Sequence, residues 1–189
     1  MVAFLGIIVL MPVMILVALV IILFEGFPVF YTQKRVGYKG RLFTMIKFRT
    51  MKPNDSKNTI SVKGDSRITK TGAFLRKYKL DELPELLNVL AGQMSMVGPR
   101  PDVQGYADKL EDEDRNILKL RPGITGPATL KYANEEALLA LVEDPITYND
   151  DVIFPDKVRI NLDYYHRHNL LIDIKIIFAT IFRTKTPFK

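Results

Sequence analysis

The chain has 189 residues, no cysteine and two histidines, and carries a formal charge of +6. Those numbers exclude disulfides, thiolate metal sites, a cysteine nucleophile and a multi-histidine metal centre. A basic balance suits anionic partners, namely lipid headgroups or phosphorylated substrates, and no base-stacking motif or other signature of nucleic-acid binding accompanies it.

Met1 to Phe24 contains no charged residue. The run is long enough to cross the roughly 30 Å core of a bilayer as a helix. A cleaved leader fits poorly, because no basic stretch precedes the run and no small-residue cleavage site follows it. Pro12 lies in the middle of the run and is expected to bend or break it. Two shapes fit, a kinked span or a hairpin that enters and leaves by one face. Lys34, Arg35, Lys39, Arg41, Lys47, Arg49 and Lys52 follow closely. The positive-inside rule then puts the remainder of the chain in the cytoplasm, with anionic lipid nearby.

Pro28 to Met51 reads as a β-hairpin, with alternation at Val29 and Tyr31 and again at Leu42, Thr44, Ile46 and Phe48, and with Gly37 and Gly40 between the arms. Residues 52–65 read as a loop. Arg67 to Tyr78 is basic and helical in its second half. Leu83, Leu86, Leu87 and Leu90 recur at helical spacing and predict an amphipathic helix with Asp81 at its start. VGPRP (97–101) and RPGITG (121–126) read as rigid turns. Residues 108–114 read as a solvated acidic helix, 134–142 as a helix and 145–155 as irregular. Leu170 to Phe182 reads as a core or membrane-interface helix.

Four groups of residues could carry chemistry. In KLDELPELLNVLAG, the adjacent Asp81 and Glu82 could serve as nucleophile and metal or proton partner, and Asp81, Glu85 and Asn88 share a face more closely. The plainer reading makes Asp81 an N-cap and Glu82 a first-turn acid. The cations upstream, Arg67, Lys70, Arg76, Lys77 and Lys79, would keep the carboxylates ionised. In GPRP, two prolines hold Arg100 ready to grip a phosphate, or simply form a turn. In RPGITG, Arg121, Gly123, Thr125 and Gly126 could present N–H groups and a guanidinium to an oxyanion. Lys47 and Arg49 lie two apart, on one face of a strand, and could bind phosphate or mark the membrane edge. His166 and His168, flanking Arg167, read as a surface cluster.

Taken in order, PVFYTQKRVGYKGRLFTMIKFRTM, LDELPELLNVLAGQMSMVGPRP, RPGITG and LDYYHRHNLLIDIKII behind an apolar, proline-containing N-terminus resemble the bacterial sugar transferases, also called monotopic phosphoglycosyl transferases. The resemblance covers nearly the whole chain. It implies an α+β fold, with a mainly helical cytoplasmic domain (28–189), a small β-hairpin, a C-terminal interfacial helix and an N-terminal re-entrant membrane helix (1–27) broken near the proline. It implies residence at the bacterial inner membrane. It implies transfer of a hexose-1-phosphate from a UDP-sugar to a polyprenyl phosphate, with UMP released. Asp81 would form a covalent phosphosugar intermediate and would touch a Mg²⁺ ion, and Glu82 would assist. Lys47, Arg49, Arg100, Arg121 and Thr125 are assigned to substrate. Lipid is an expected partner and a homo-oligomer is left open. Three departures stand out. The Lys-Arg pair and Asp that usually precede the apolar run find no match here, Met11 replaces the usual Ser before the proline, and Gln93 stands where an acid is common. The competing class is a membrane-anchored scaffold or anionic-lipid-binding protein without catalysis, which would tolerate loss of Asp81.

Overall fold

The computed structural model describes residues 2–52 and 65–184. Most of the loop expected at 52–65 therefore lies outside the described residues. Helix α1 (Val2–Glu25) leads into strand β1 (Phe30–Val36), which pairs antiparallel with β2 (Leu42–Phe48) from Phe30↔Phe48 to Val36↔Leu42. Helices α2 (Lys70–Tyr78) and α3 (Glu85–Leu90) follow, with a 3₁₀ turn at Leu80–Glu82 between them. Strand β3 (Ser95–Val97) pairs in parallel with β4 (Gly123–Thr125). The rest is helical: α4 (Pro127–Lys131), α5 (Glu135–Leu139), α6 (Pro145–Tyr148), α7 (Phe154–Arg167) and α8 (Leu170–Phe182).

Helix α1 is continuous through Pro12, so the break expected there is absent. It is long and apolar enough to cross a membrane, at about 36 Å given the helical rise. Proline removes only one ladder bond, and Pro12 faces outward. The helix packs on the domain on both sides of it. A Cβ at Gly6 would lie 3.9 Å from Leu86, while Val17 and Ile21 join Val29, Phe48 and Leu75 in one cluster. The inward positions are Ala3, Ile7, Leu10, Met14, Val17 and Ile21, a 4-3-4 spacing that keeps one seam against the domain. The outward face is equally apolar, with Phe4, Leu5, Ile8, Val9, Leu16, Leu19 and Leu23 exposed. Helix α1 closes on Gly26, which takes the left-handed conformation at φ 73°.

Arg49 then fastens that end. Its guanidinium donates to the carbonyls of Glu25 at 2.8 Å, Gly26 at 2.7 Å and Phe27 at 3.0 Å. Thr69, the N-cap of α2, donates its hydroxyl to Glu25 Oε1 at 2.5 Å. Carbonyls past a helix end need partners, and one planar fork supplies them here. Arg49 is 8% exposed. We expect Arg49→Ala to cost about 3–5 kcal/mol, since charged hydrogen bonds contribute about 1.5–3 kcal/mol each and do not add fully. Lysine, which lacks the fork, should recover less than half of this. Denaturation midpoints in detergent read the effect, and an unchanged midpoint for Arg49→Ala would refute the capping role.

Helix α3 turns a polar face inward beside Leu86. Leu86 is buried, but Leu87 and Leu90 are exposed, and the innermost residues are Glu85 and Asn88 at 2% each. The leucine spacing does mark a helix, but the face against β2 is the polar one. Asn88 makes that workable. Its Oδ1 accepts from Ile46 N, and its Nδ2 donates to the Thr44 carbonyl and to Gln93 Oε1. A buried amide with three partners has its polar groups satisfied. Gln93 thus serves as a partner of Asn88.

The two glycine-proline segments each begin or end in a short strand, and together they make the parallel β3–β4 pair. A Cβ at Gly98 would lie 2.3 Å from the Arg121 carbonyl oxygen, and one at Gly123 would lie 2.2 Å from Gly98 N. These glycines let two backbones touch. Elsewhere, the acidic stretch at 108–114 is no helix; 3₁₀ turns at Ala107–Lys109 and Asp114–Lys119 flank it, with Asp112 at positive φ. The helix expected over 134–142 shrinks to α5. The stretch taken as irregular holds α6 and a π turn (Asn149–Ile153) that runs into α7. Helix α8 matches its expected span, with Ile176 buried and Leu170, Leu171, Phe178, Ile181 and Phe182 exposed.

Candidate active site

Lys79 adopts the left-handed conformation (φ 58°) at the end of α2 and turns the chain sharply. The next three residues form the 3₁₀ turn that carries Asp81 and Glu82, both 7% exposed. No cap bond forms: α3 starts after Pro84, and Asp81 Oδ1 has no hydrogen-bond partner. The N-cap alternative for Asp81 therefore drops out.

Strand β2 brings Lys47 against this turn. Lys47 Nζ donates to Glu82 Oε1 at 2.9 Å and lies 3.1 Å from Glu85 Oε1, an ion pair without hydrogen-bond alignment. Arg100, from the turn after β3, donates to the same Glu82 oxygen at 2.9 Å. One carboxylate oxygen thus ties β2, the 3₁₀ turn and the GPRP turn together. Lys47 and Glu85 are largely buried, while the Arg100 side chain is 38% exposed and reachable from outside.

The two neighbouring carboxyls are driven apart. Burial, and then the charge of Glu82, push Asp81 above the usual carboxylate range, against Lys47, Lys79 and Arg76. Burial would raise Glu82 as well, but Arg100, Lys47 and Lys79 overcome it and hold that carboxyl well below its usual range. Glu85 is raised, chiefly by burial. Paired groups with opposite shifts mark sites where one group holds charge and the other reacts. Glu82 is the fixed anion of the cluster. Asp81 is the carboxylate with a buried oxygen that no donor or cation occupies, and an ionised carboxylate left unpaired is the one that could act as a nucleophile.

The unpartnered Asp81 Oδ1 also suits a hard cation. Mg²⁺ is commonly held by one or two carboxylates with substrate phosphates supplying the remaining oxygens. Among the described residues, no group of three acidic or histidine side chains could hold a metal by itself. Asp81 could hold such a cation only together with oxygens from a phosphorylated substrate.

The expected substrate residues divide. Lys47 and Arg100 join Asp81 and Glu82. Arg121 is exposed, its guanidinium 6.0 Å from the centre of the Tyr38 ring at the hairpin tip. Thr125 is 5% exposed, and its hydroxyl shares a 2.6 Å hydrogen bond with Thr180 of α8. That places Thr125 in the packing of β4 on α8. Arg49 is spent on the end of α1. His166 lies 3.4 Å from Glu113 and His168 against the Tyr165 carbonyl, both at the surface. Two residues near the site gave no signal in the sequence, Arg35 and Asp102. Arg35 donates to the Pro101 carbonyl at 3.3 Å. Neither has a motif or a spacing that would single it out.

Comparison with known proteins identifies the family of the chain. The family model described as bacterial sugar transferase matches residues 1–186. The chain is 37% identical, over 91% of its length, to a UDP-glucose:undecaprenyl-phosphate glucose-1-phosphate transferase of Xanthomonas campestris pv. campestris, of which it covers 34%. It is 32% identical, over 95% of its length, to the exopolysaccharide production protein ExoY of Sinorhizobium fredii, covering 80% of that protein. It is 34% identical, over 94% of its length, to a UDP-N-acetylgalactosamine-undecaprenyl-phosphate N-acetylgalactosaminephosphotransferase of Aeromonas hydrophila, covering 40%. The chain thus spans little more than a third of the first and third of these relatives, and most of the second.

Proposed function

We propose, from the premise that this chain belongs to the bacterial sugar transferase family, that it transfers a hexose-1-phosphate from a UDP-sugar to a polyprenyl phosphate such as undecaprenyl phosphate. The products are UMP and a polyprenyl-diphosphate sugar. The observation that carries the reading is the buried Asp81 with its unpartnered oxygen beside the Lys47–Glu82–Arg100 cluster.

The reaction follows from those groups. An Asp81 carboxylate oxygen attacks the β-phosphorus of the donor. The bond from that phosphorus to the bridging oxygen breaks, and UMP leaves with the electron pair. An acyl phosphate now joins Asp81 to the sugar-phosphate. An oxygen of the polyprenyl phosphate attacks the same phosphorus and restores the Asp81 carboxylate. Dividing the transfer into two displacements is what a carboxylate nucleophile contributes. Arg100, pre-set by Pro99 and Pro101, steadies phosphate charge from its exposed side. Lys47 keeps Glu82 and Glu85 from repelling the incoming diphosphate. Mg²⁺, held by Asp81 and the substrate phosphates, would neutralise charge on the diphosphate.

A lipid acceptor calls for a membrane site. Helix α1 lies in the inner membrane with its outward apolar face in lipid, and the catalytic domain sits on the cytoplasmic side. Exposed Leu87, Leu90 and Phe74 extend the apolar surface near it, and α8 adds a second such strip as an interfacial helix. The relatives' names carry glucose and N-acetylgalactosamine, so the sugar is to be read from a donor panel. UMP release is measured with the full chain in detergent, Mg²⁺, undecaprenyl phosphate and a series of UDP-sugars. Release that turns over only with the lipid phosphate is expected. No release with any donor would sink the proposal.

A further inference from the structure

The C-terminal ends of α2 and α8 are far apart in sequence and meet in the fold. Arg183 closes α8 in the left-handed conformation, and its guanidinium donates to the Lys77 carbonyl at 2.9 Å. The same guanidinium lies 5.9 Å from the centre of the Tyr78 ring, and Lys77 Nζ lies 5.4 Å from it. Phe74 stands one turn before Tyr78, with ring centres 4.8 Å apart, and Phe178 stacks on Phe182 at 6.0 Å. All four rings are exposed, from 48% at Tyr78 to 66% at Phe182.

The charge on this surface has one sign. Helix α2 contains no acidic residue, and α8 contains only Asp173, in its first turn and bonded to Tyr164. Lys77 and Arg183 are exposed and form no ion pair among the described residues. Lys70 and Lys79 on α2 and Lys175 on α8 are exposed as well. Helix α2 also lies beside α1, because its Leu75 packs with Val17 and Ile21. The joint is therefore a flank of the apolar N-terminal helix, and Lys79 leads straight into the turn that carries Asp81.

Exposed aromatic rings interleaved with cations suit the boundary of a bilayer. Rings settle at the headgroup level, while ammonium and guanidinium groups reach the phosphates on flexible stems. An acidic protein would match the charge and leave Phe178 and Phe182 without apolar surroundings. We propose that the α2–α8 joint is a docking surface for anionic phospholipid headgroups of the bilayer, with Lys77 and Arg183 on the phosphates and Phe74, Tyr78, Phe178 and Phe182 at the acyl boundary. This rests on the membrane placement of α1 given above and not on the transfer reaction.

The test titrates the full chain in detergent with dioctanoyl phosphatidylglycerol or dioctanoyl phosphatidylcholine and reads Kd from the thermal shift. Both lipids can meet the apolar face of α1, so the difference between them reports the headgroup. Wild type should bind the phosphatidylglycerol more tightly, and added salt should narrow the gap. Lys77→Gln and Arg183→Gln should each weaken phosphatidylglycerol binding by about fivefold, the worth of one cation near an anionic surface, and leave phosphatidylcholine binding unchanged. Lys77→Arg and Arg183→Lys should recover most of the loss. Lys77→Gln keeps the backbone carbonyl that Arg183 uses, so it tests the charge even if Arg183→Gln loosens the joint. Equal affinity of wild type for the two lipids would overturn the proposal, as would phosphatidylglycerol binding untouched by Lys77→Gln. UMP release in the same detergent separates the bilayer lipid from the acceptor: Lys77→Gln should leave KM for undecaprenyl phosphate within about twofold, and a KM that rises with the phosphatidylglycerol Kd would give the surface to the acceptor and overturn the proposal. Lipid preference without any UMP release would overturn the reaction alone.

Discussion

Asp81→Asn is expected to lower UMP release by about 10³-fold or more, the scale seen when a covalent nucleophile is removed, and to leave the protein as stable as wild type or more so. Both halves follow from one placement. The carboxylate is buried, one of its oxygens has no partner, and burial with the adjacent Glu82 charge raises its pKa. A raised carboxyl pKa means that ionisation costs folding free energy. The stability tied to Asp81 is full below the unfolded carboxyl value, about 3.9, and is lost as pH rises through the higher folded value. Asparagine avoids that cost, so the variant should be more stable than wild type at neutral pH and no more stable below about pH 4. Denaturation at several pH values, beside the UMP assay, reads both effects. Retained turnover would remove Asp81 as nucleophile. A large loss of stability would show instead that its oxygen is satisfied in some way the geometry does not reveal.

The second large effect belongs to Lys47→Met. This side chain fills a similar volume but leaves Glu85 without its cation, while Glu82 keeps Arg100. Breaking a buried pair from one side costs about 3–5 kcal/mol, because the surviving charge stays desolvated. Glu85 should respond by binding a proton, since its pKa is already raised by burial and Lys47 is the largest opposing influence. With the folded value above the unfolded one, the loss should be small near pH 5 and deepen toward pH 8. Adding Glu85→Gln to Lys47→Met should recover most of the stability, as coupled neighbours do in a double-mutant cycle. A single variant as stable as wild type at pH 8, or a double variant no better than the single, would contradict the shared-lysine arrangement. Activity should stay low in both variants, because Glu82 has then lost one of the two cations that hold its charge.

These expectations depend on features that the sequence disclosed unevenly. Helix α1 and α8 announce themselves by unbroken apolar composition, and the hairpin by its alternation around Gly37 and Gly40. The Asp81-Glu82 pair stands out by its motif. The orientation of α3 does not. Periodicity marks one face of a helix as apolar, yet it cannot say what covers that face. Leu87 and Leu90 stay exposed because β2 and its amides receive the polar side, Glu85 and Asn88. The β3–β4 pair was equally hidden. Three-residue strands carry no alternation, and the glycines that signal a turn in sequence act here as points where two backbones touch. Arg49 illustrates a third limit. A strand period places it on one face with Lys47, and the structure then sends the two cations to different tasks, one to helix carbonyls and one to carboxylates. Thr125 has a packing partner that the sequence did not disclose. A hydroxyl near glycines looks ready for an oxyanion until the residue opposite, Thr180, is known.

The division of α1 into an inward seam and an outward face has a practical meaning for anyone wishing to handle the protein in water. The seam residues from Ala3 to Ile21 face the domain, whereas Phe4, Leu5, Ile8, Val9, Leu16, Leu19 and Leu23 are exposed. Instructions for docking the helix and instructions for choosing its solvent are therefore written on different residues of one segment. Recoding only the second set with glutamate and lysine leaves the first intact, and so should give a water-soluble protein without cutting the helix away from Arg49.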